Sequence, residues 1–334
     1  MPSERQPRAE GELEISTANI GLSNFDARAL THVVTGAEFE HRRLPGGDSK
    51  INLLQCCLPH SVINRGIYSP SVLVNGTFAS DSITVGTMIS QREETIINGS
   101  AVKMGTVQFY AEKSEMCYRA WPNATWLAFV ISRERLLEFV IDLVDSEPDL
   151  PSSNVVTIEP QFKETGDQFL ASLSDLDRSL CSFDSAVNNA RLGQAIETDL
   201  LARIAAFFCP PPRISGIGDR RRLRFCGEVL QDAVRLIEGN PAEMFDLQSM
   251  SKATGLSPRT LQRAFQAEYG LCPQEWLKVE RLNRVRKELL GQGHSNSVTH
   301  VATRWGFFHL GRFSMYYREL FGEKPSETLA RRVA

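Results

Sequence analysis

The 334-residue sequence predicts an α+β chain, with an N-terminal β-barrel or jelly-roll domain flanked by helices and an all-α C-terminal domain of two helix-turn-helix units joined by a long helix. Three observations carry this. Between Lys50 and Ile131, about eight short runs rich in Val, Ile, Phe and Tyr are separated by Pro, Gly, Asn and Asp, the spacing of a small closed sheet. From Ser132 onward the apolar residues recur at helical period instead. Two stretches near the C-terminus, 247–275 and 298–327, repeat one another.

Residues 1–24 are polar and are expected to be poorly ordered. The strand runs follow as INLLQCCL, VINRGIY, SVLVNGTF, SITVGTM, ETIIN, AVKMGTVQFY, MCYRAW and TWLAFVI. A helix is then expected over RERLLEFVIDLVD, ending before Glu147-Pro148, and a loop with PDLPSSN follows. Phe162, Phe169, Leu173, Leu176 and Leu180 mark a second helix, and Leu192, Ile196, Leu200, Ile204 and Phe207 a third. Such a pair either covers the sheet or pairs with another copy of itself. The clearest boundary is CPPPRISGIGDRR, where prolines stiffen the chain, Gly216 and Gly218 loosen it and no apolar period crosses. Residues 209–219 therefore read as a linker between a domain at 25–208 and one at 220–334.

The C-terminal domain starts with a helix carrying Leu223, Phe225, Val229, Val234 and Ile237, stopped at Gly239-Asn240-Pro241. In the first repeat, Ser257 sits where a cap is wanted and Pro258 at the first helical position. Pro273 to Leu290 is an amphipathic helix with Trp276, Leu277, Leu282, Val285, Leu289 and Leu290 apolar. In the second repeat, Val298, Val301 and Ala302 form one stripe and Leu310, Phe313, Tyr317 and Leu320 another, meeting at Gly306. Gly255 and Leu256 match Gly306 and Phe307 at an offset of 51 residues. Past the turn the offset is 52, pairing Leu261 with Phe313, Phe265 with Tyr317, Gly270 with Gly322 and Pro273 with Pro325. One extra residue in the second turn explains the change.

Charge separates the two parts. The chain totals −3, yet residues 219–334 hold 19 Lys/Arg against 13 Asp/Glu, a balance of +6 that leaves −9 for the rest. A polyanion is drawn to the C-terminal end. No apolar run is long enough to span a bilayer, and MPSERQPRAE lacks a signal-peptide core, so a cytoplasmic protein without membrane contact is expected. Seven scattered cysteines without a CxxC pair read as reduced thiols. The barrel region holds His32, His41 and His60 but no HxH, and no GxSxG, P-loop or HExxH occurs, so neither a catalytic residue nor a metal or cofactor is expected.

Gly255, Ser257, Leu261, Arg263, Phe265, Gly270 and Pro273 in one unit, and Ala302, Gly306, Phe307, Phe313, Phe321, Gly322, Pro325 and Ser326 in the other, resemble the tandem helix-turn-helix domain of AraC/XylS-type transcription regulators. The runs GFFHLGRF and FGEKPSETL are especially similar to the XylS and ethanolamine-regulator branches. The resemblance covers about a third of the chain. It implies an effector-responsive activator, a homodimer with a cupin-like sensing and dimerisation domain, acting with RNA polymerase on double-stranded promoter DNA. Candidate DNA contacts are Arg259, Thr260, Gln262, Arg263 and Gln266, then His309, Arg312 and Met315 on a face that also carries Tyr316. Candidate effector contacts are Arg92, Phe109, Tyr118, Arg119 and Trp126, with Phe78, Met104 and Phe129 as further interior positions and either arginine meeting an anionic effector. A non-specific architectural DNA binder and a barrel enzyme with an attached DNA-binding domain are the alternatives.

Overall fold

The structure, a computed structural model, describes residues 16–31, 33–144, 148, 150–182, 190–208, 213–216, 235, 239, 247–291 and 297–331. Strands β1 (Ser16–Leu22), β2 (Ala37–Cys57), β3 (Ser61–Phe78), β4 (Ile83–Ser90), β5 (Thr95–Ile97), β6 (Ser100–Val102), β7 (Val107–Tyr110), β8 (Glu115–Ala120), β9 (Ala124–Ile131), β10 (Val155–Glu159) and β11 (Arg213–Gly216) form one sheet. Helices α1 (Arg133–Val144), α2 (Lys163–Ser182) and α3 (Ala190–Phe208) accompany it. The C-terminal domain contains α4 (Leu247–Thr254), α5 (Pro258–Tyr269), α6 (Pro273–Leu290), α7 (Val298–Arg304), α8 (Leu310–Phe321) and α9 (Pro325–Arg331).

Two long strands shape the sheet. The first half of β3 pairs with β9 and its second half with β8, while β2 runs antiparallel along its other side. The partners change across Pro70, which has no N–H to donate, and opposite it the register of β2 slips between Arg43, Gly47 and Ile51. The order runs β11-β10-β7-β4-β9-β3-β8-β5-β6, and among the described residues its two edges do not pair with each other. The sheet is thus a curled half-barrel, of the barrel-like class expected, with its edges left open instead of closed on each other.

Three expectations are corrected. Residues 16–22, expected to be poorly ordered, form β1 and pair with β2 along its C-terminal half. The strand region therefore begins well before Lys50. Within the expected linker, 213–216 adds β11 to the edge of β10. Phe162, assigned to the apolar stripe of the second helix, lies outside α2 and is exposed. Of the helix expected around 223–237, only Arg235 is among the described residues, and it is helical; Leu223, Phe225, Val229, Val234 and Ile237 fall outside them.

Strand alternation separates two cores. One face of the sheet, with Val85, Phe109, Leu127 and Phe129, packs under α2 and α3 through Phe169, Leu173, Leu200 and Ile204. The other face, with Phe39, Tyr68, Val74 and Phe78, continues without a break into Leu261, Phe265, Trp276, Phe313 and Tyr317 of the C-terminal helices. Each fully buried side chain of this size contributes about 1.5–3 kcal/mol.

Candidate functional site

Each helix-turn-helix is built by local signals. Ser257 accepts the Thr260 backbone N–H at 3.2 Å, Pro258 opens α5, and Gly270 closes it with φ +66°. The turn before α5 runs through Gly255 at φ +68°. In the second unit α7 ends at Gly306, φ +81°, where the Phe307 N–H reaches Ala302 O at 2.9 Å and the Gly306 N–H reaches Thr303 O at 3.0 Å. These two bonds make a Schellman stop. Phe307 then packs on Phe313 with ring centroids 5.1 Å apart.

The offset of 52 holds in three dimensions. Leu261, Phe265 and Tyr269 of α5 are buried, as are Phe313, Tyr317 and Phe321 of α8. Gly322 closes α8 at φ +75°, as Gly270 closes α5. The helix that follows each unit begins with proline, and its Glu275 or Glu327 accepts the backbone N–H of Cys272 or Lys324.

The faces left outside carry the candidate contacts. Arg259, Thr260, Gln262, Arg263 and Gln266 are exposed on α5, and Arg312 and Met315 on α8. The Thr260 hydroxyl is 2.8 Å from that of Ser257, so it belongs to the cap as well as to the face. His309 occupies the N-cap position of α8 without a side-chain capping bond and is exposed. Tyr316 is half-buried beneath the Lys278 ammonium, 4.7 Å from its ring centre, and so drops out of the free face.

Helix α6 joins the units and also anchors them to the sheet. Its apolar residues pack as expected, but Glu280, Asn283 and Arg286, at i, i+3 and i+6, are buried on the side turned to β2 and the segment before it. Arg42 Nε donates to Glu280 at 2.7 Å, and Arg284 reaches the other oxygen at 2.8 Å. Asn283 both accepts the Arg43 N–H and donates to the Arg43 carbonyl, each at 3.0 Å. Arg286 donates to the Phe25 carbonyl and, at 2.7 Å, to Glu323. Burial alone would raise the Glu40 carboxyl, but Arg42, Arg284 and Lys287 outweigh it and hold the group below its ordinary value. Periodicity missed this face because its members are polar; three polar residues on one stripe of a long helix were the only signal.

A cavity of about 60 Å³ lies inside the curl. Tyr118 and Trp126 line it, with Phe39, Tyr68, Phe78, Met88, Gln108, Tyr110 and Met116. The other expected contacts do not. Phe109 belongs to the core under α2 and α3, because Gln108 and Tyr110 take the cavity-facing positions of β7. Arg119 projects from the opposite face of β8 to Tyr118, over the Trp121 ring at 4.9 Å and against Gly270. Arg92 is exposed in the turn after β4. Phe129 packs with Phe109, and Met104 is exposed.

Among the described residues no charged side chain lines the cavity. His41 lies 3.0 Å from the hydroxyl of the cavity-lining Tyr68, and burial pushes it down from 6.5 to about 4. Burial raises the hydroxyls of Tyr68, Tyr110 and Tyr118. Among the described residues no cluster of three or more His, Cys, Asp or Glu could hold a metal ion, and no helix is long and apolar enough to cross a membrane.

Two short helices set at a glycine turn, repeated about a shared helix with one face of each left open, define a tandem helix-turn-helix domain. Residues 250–331 match the family model described as a helix-turn-helix domain. This C-terminal domain is of the AraC/XylS type. It is 35% identical over 136 residues to the probable thc operon regulatory protein of Rhodococcus erythropolis, covering 40% of this chain and 36% of that one. It is 37% identical over 100 residues to XylDLEGF operon transcriptional activator 3 of Pseudomonas putida, 30% of each chain. Among solved structures, a transcriptional regulator with an AraC-type DNA-binding domain from Chromobacterium violaceum is 32% identical, with 32% of this chain and 95% of that one covered and a TM-score of 0.29. The chain spans about a third of the length of the curated relatives it matches.

Proposed function

We propose that the chain is a sequence-specific, DNA-binding transcription regulator whose N-terminal domain responds to a small molecule. One observation carries the reading: the shared helix α6 joins two helix-turn-helix units, each with an exposed helix face bearing candidate base contacts. A major groove admits such a helix, and Arg on guanine or Gln on adenine each contributes about 1–3 kcal/mol of discrimination. Helix α6, with 18 residues, is roughly 27 Å long at 1.5 Å per residue, which suits units about one DNA turn of ~34 Å apart.

In this reading the helix-turn-helix units within residues 220–334 bind promoter DNA, and the half-barrel with its helices, from β1 to β11, senses and dimerises. The relatives named as operon transcriptional activators favour an activator; in this reading it works with RNA polymerase in the cytoplasm. Helices α2 and α3 supply the dimer surface, for which sedimentation fitting only a monomer, with and without DNA, is the contrary result. The cavity supplies the effector site. Its uncharged lining selects an uncharged, largely apolar compound, since an ionised carboxylate would lose its water there without a cationic partner. At about 60 Å³ it has room for several waters, and flexible Met88 and Met116 let it widen for a ring-sized molecule.

Selection of bound sites from a random duplex library, followed by footprinting at fixed salt, tests the reading. The specific-to-random affinity ratio is expected at about a thousandfold or more; a ratio near one favours an architectural binder. Arg263→Ala is expected to abolish discrimination and Arg312→Ala to weaken it less. Equal ratios for the two variants contradict that order.

A further inference from the structure

The constant offset lets the exposed faces of α5 and α8 be compared position by position. Where α5 has Arg259, Gln262, Arg263 and Gln266, α8 has Gly311, Ser314, Met315 and Arg318. The first set is four long side chains that donate, or both donate and accept, at base edges. The second has an apolar side chain at its centre, with glycine four residues before it and serine beside it.

We infer that the second unit reads its DNA segment through thymine methyl groups, with Met315 as the contacting side chain. The inference rests on the DNA-binding reading above and adds a recognition chemistry to it. Met315 is 57% exposed on a helix whose other large apolar residues beyond the first position are buried or half-buried. Its thioether is only a weak acceptor, so it cannot read a base by the paired hydrogen bonds open to arginine or glutamine. The apolar group that a major groove displays is the 5-methyl of thymine.

Gly311 supplies an independent observation. A glycine inside a helix costs about 1 kcal/mol relative to alanine. Among the described residues nothing demands it: a Cβ at Gly311 would meet no atom within 4 Å, and its φ is not positive. By contrast, Gly306 and Gly322 stand at positive φ. The missing side chain at Gly311 therefore serves something outside the fold, and with Ser314 it clears the helix surface next to Met315 for close approach of a groove floor. Exposed Arg312 and Arg318 flank this small apolar strip and suit a polyanion's phosphates. That charge selects DNA over an apolar protein surface.

Deoxyuridine in place of thymidine deletes the methyl and keeps every hydrogen-bonding group, so it isolates the contact. On a selected site, the α8 segment is assigned as the one whose protection weakens in Arg312→Ala. Deoxyuridine there is expected to weaken binding of the full chain about fourfold per contacted base, the equivalent of one buried methyl. Met315→Ala is expected to lower affinity and erase the thymidine–deoxyuridine difference, whereas Met315→Leu preserves it. Selected sites whose α8 segment ignores the substitution overturn this inference and leave the regulator reading standing. Failure to select any site overturns both. A Met315→Ala protein that keeps full affinity and deoxyuridine sensitivity, yet loses activation in transcription with purified RNA polymerase, makes the strip a protein contact and overturns the inference.

Discussion

The ion pair between Arg42 and Glu280 is almost wholly excluded from water, its side chains 5% and 2% exposed. A pair of this kind is costly to break because the surviving partner stays buried and charged. Glu280→Ala is therefore expected to destabilise the protein by about 3 kcal/mol, the low end of the usual range since Glu40 remains 2.6 Å from Arg42. Lys287 faces the same Glu40 from half-exposed surface at 3.7 Å, and Lys287→Ala is expected to cost under about 1 kcal/mol. Urea denaturation of the two variants separates these values, and equal losses contradict the burial argument. At the cavity, Tyr118→Phe and Trp126→Ala are expected to change ligand-induced thermal shifts, while Arg92→Ala leaves them alone. The mixed fate of the expected cavity residues has one cause. Strand composition tells that β7 and β8 exist but not which parity faces inward, so Phe109 and Arg119, one residue from Tyr110 and Tyr118, fell on the wrong side.

Elements were legible where their signals are local. Serine cap, proline start and left-handed glycine stop lie within a few residues of one another in the first helix-turn-helix, left-handed glycines also end both helices of the second, and the internal repeat doubled the evidence. Strand β1 and the first half of β2 were not legible, because their partners lie tens of residues away and polar residues such as Glu38, Glu40 and Arg42 interrupt the apolar pattern. The half-barrel likewise depends on a break at Pro70 that no short window shows. Two glycines distinguish local from distant constraint. Gly255 has open space around it but φ +68°, so Gly255→Ala is expected to cost only the backbone strain, about 1–2 kcal/mol. Gly66 has ordinary φ, yet an added Cβ would sit 2.3 Å from the Trp126 ring packed on it across β3 and β9. Gly66→Ala is expected to displace that ring, which lines the cavity, and to shift Trp fluorescence, which Gly255→Ala leaves unchanged.

Across the whole molecule, a single apolar core joins the half-barrel to both helix-turn-helix units, and the β2–α6 polar contacts seal its edge. A common core makes the parts unfold together, so at neutral pH one cooperative calorimetric transition is expected, and two well-separated ones contradict it. Acid should act through identified groups. His41 falls from 6.5 to about 4 on folding, so the folded state resists its protonation; the stability this represents is intact above pH 6.5 and is lost as the pH drops toward 4. Glu40 is held below its ordinary 4.5 by its arginine and lysine neighbours, so its contribution is present above about pH 4.5 and disappears as the carboxylate protonates below it. Loss of His41 weakens the sheet, while loss of Glu40 removes a charge from the contact between sheet and α6. The transition midpoint is therefore expected to fall from pH 6.5 downward, and the single transition to divide into two only below about pH 4.5. In Glu40→Gln the division should move to higher pH, because the charge that Arg42, Arg284 and Lys287 gather around is then absent at every pH. A division that stays at the wild-type pH in Glu40→Gln would show that another carboxylate controls the joint.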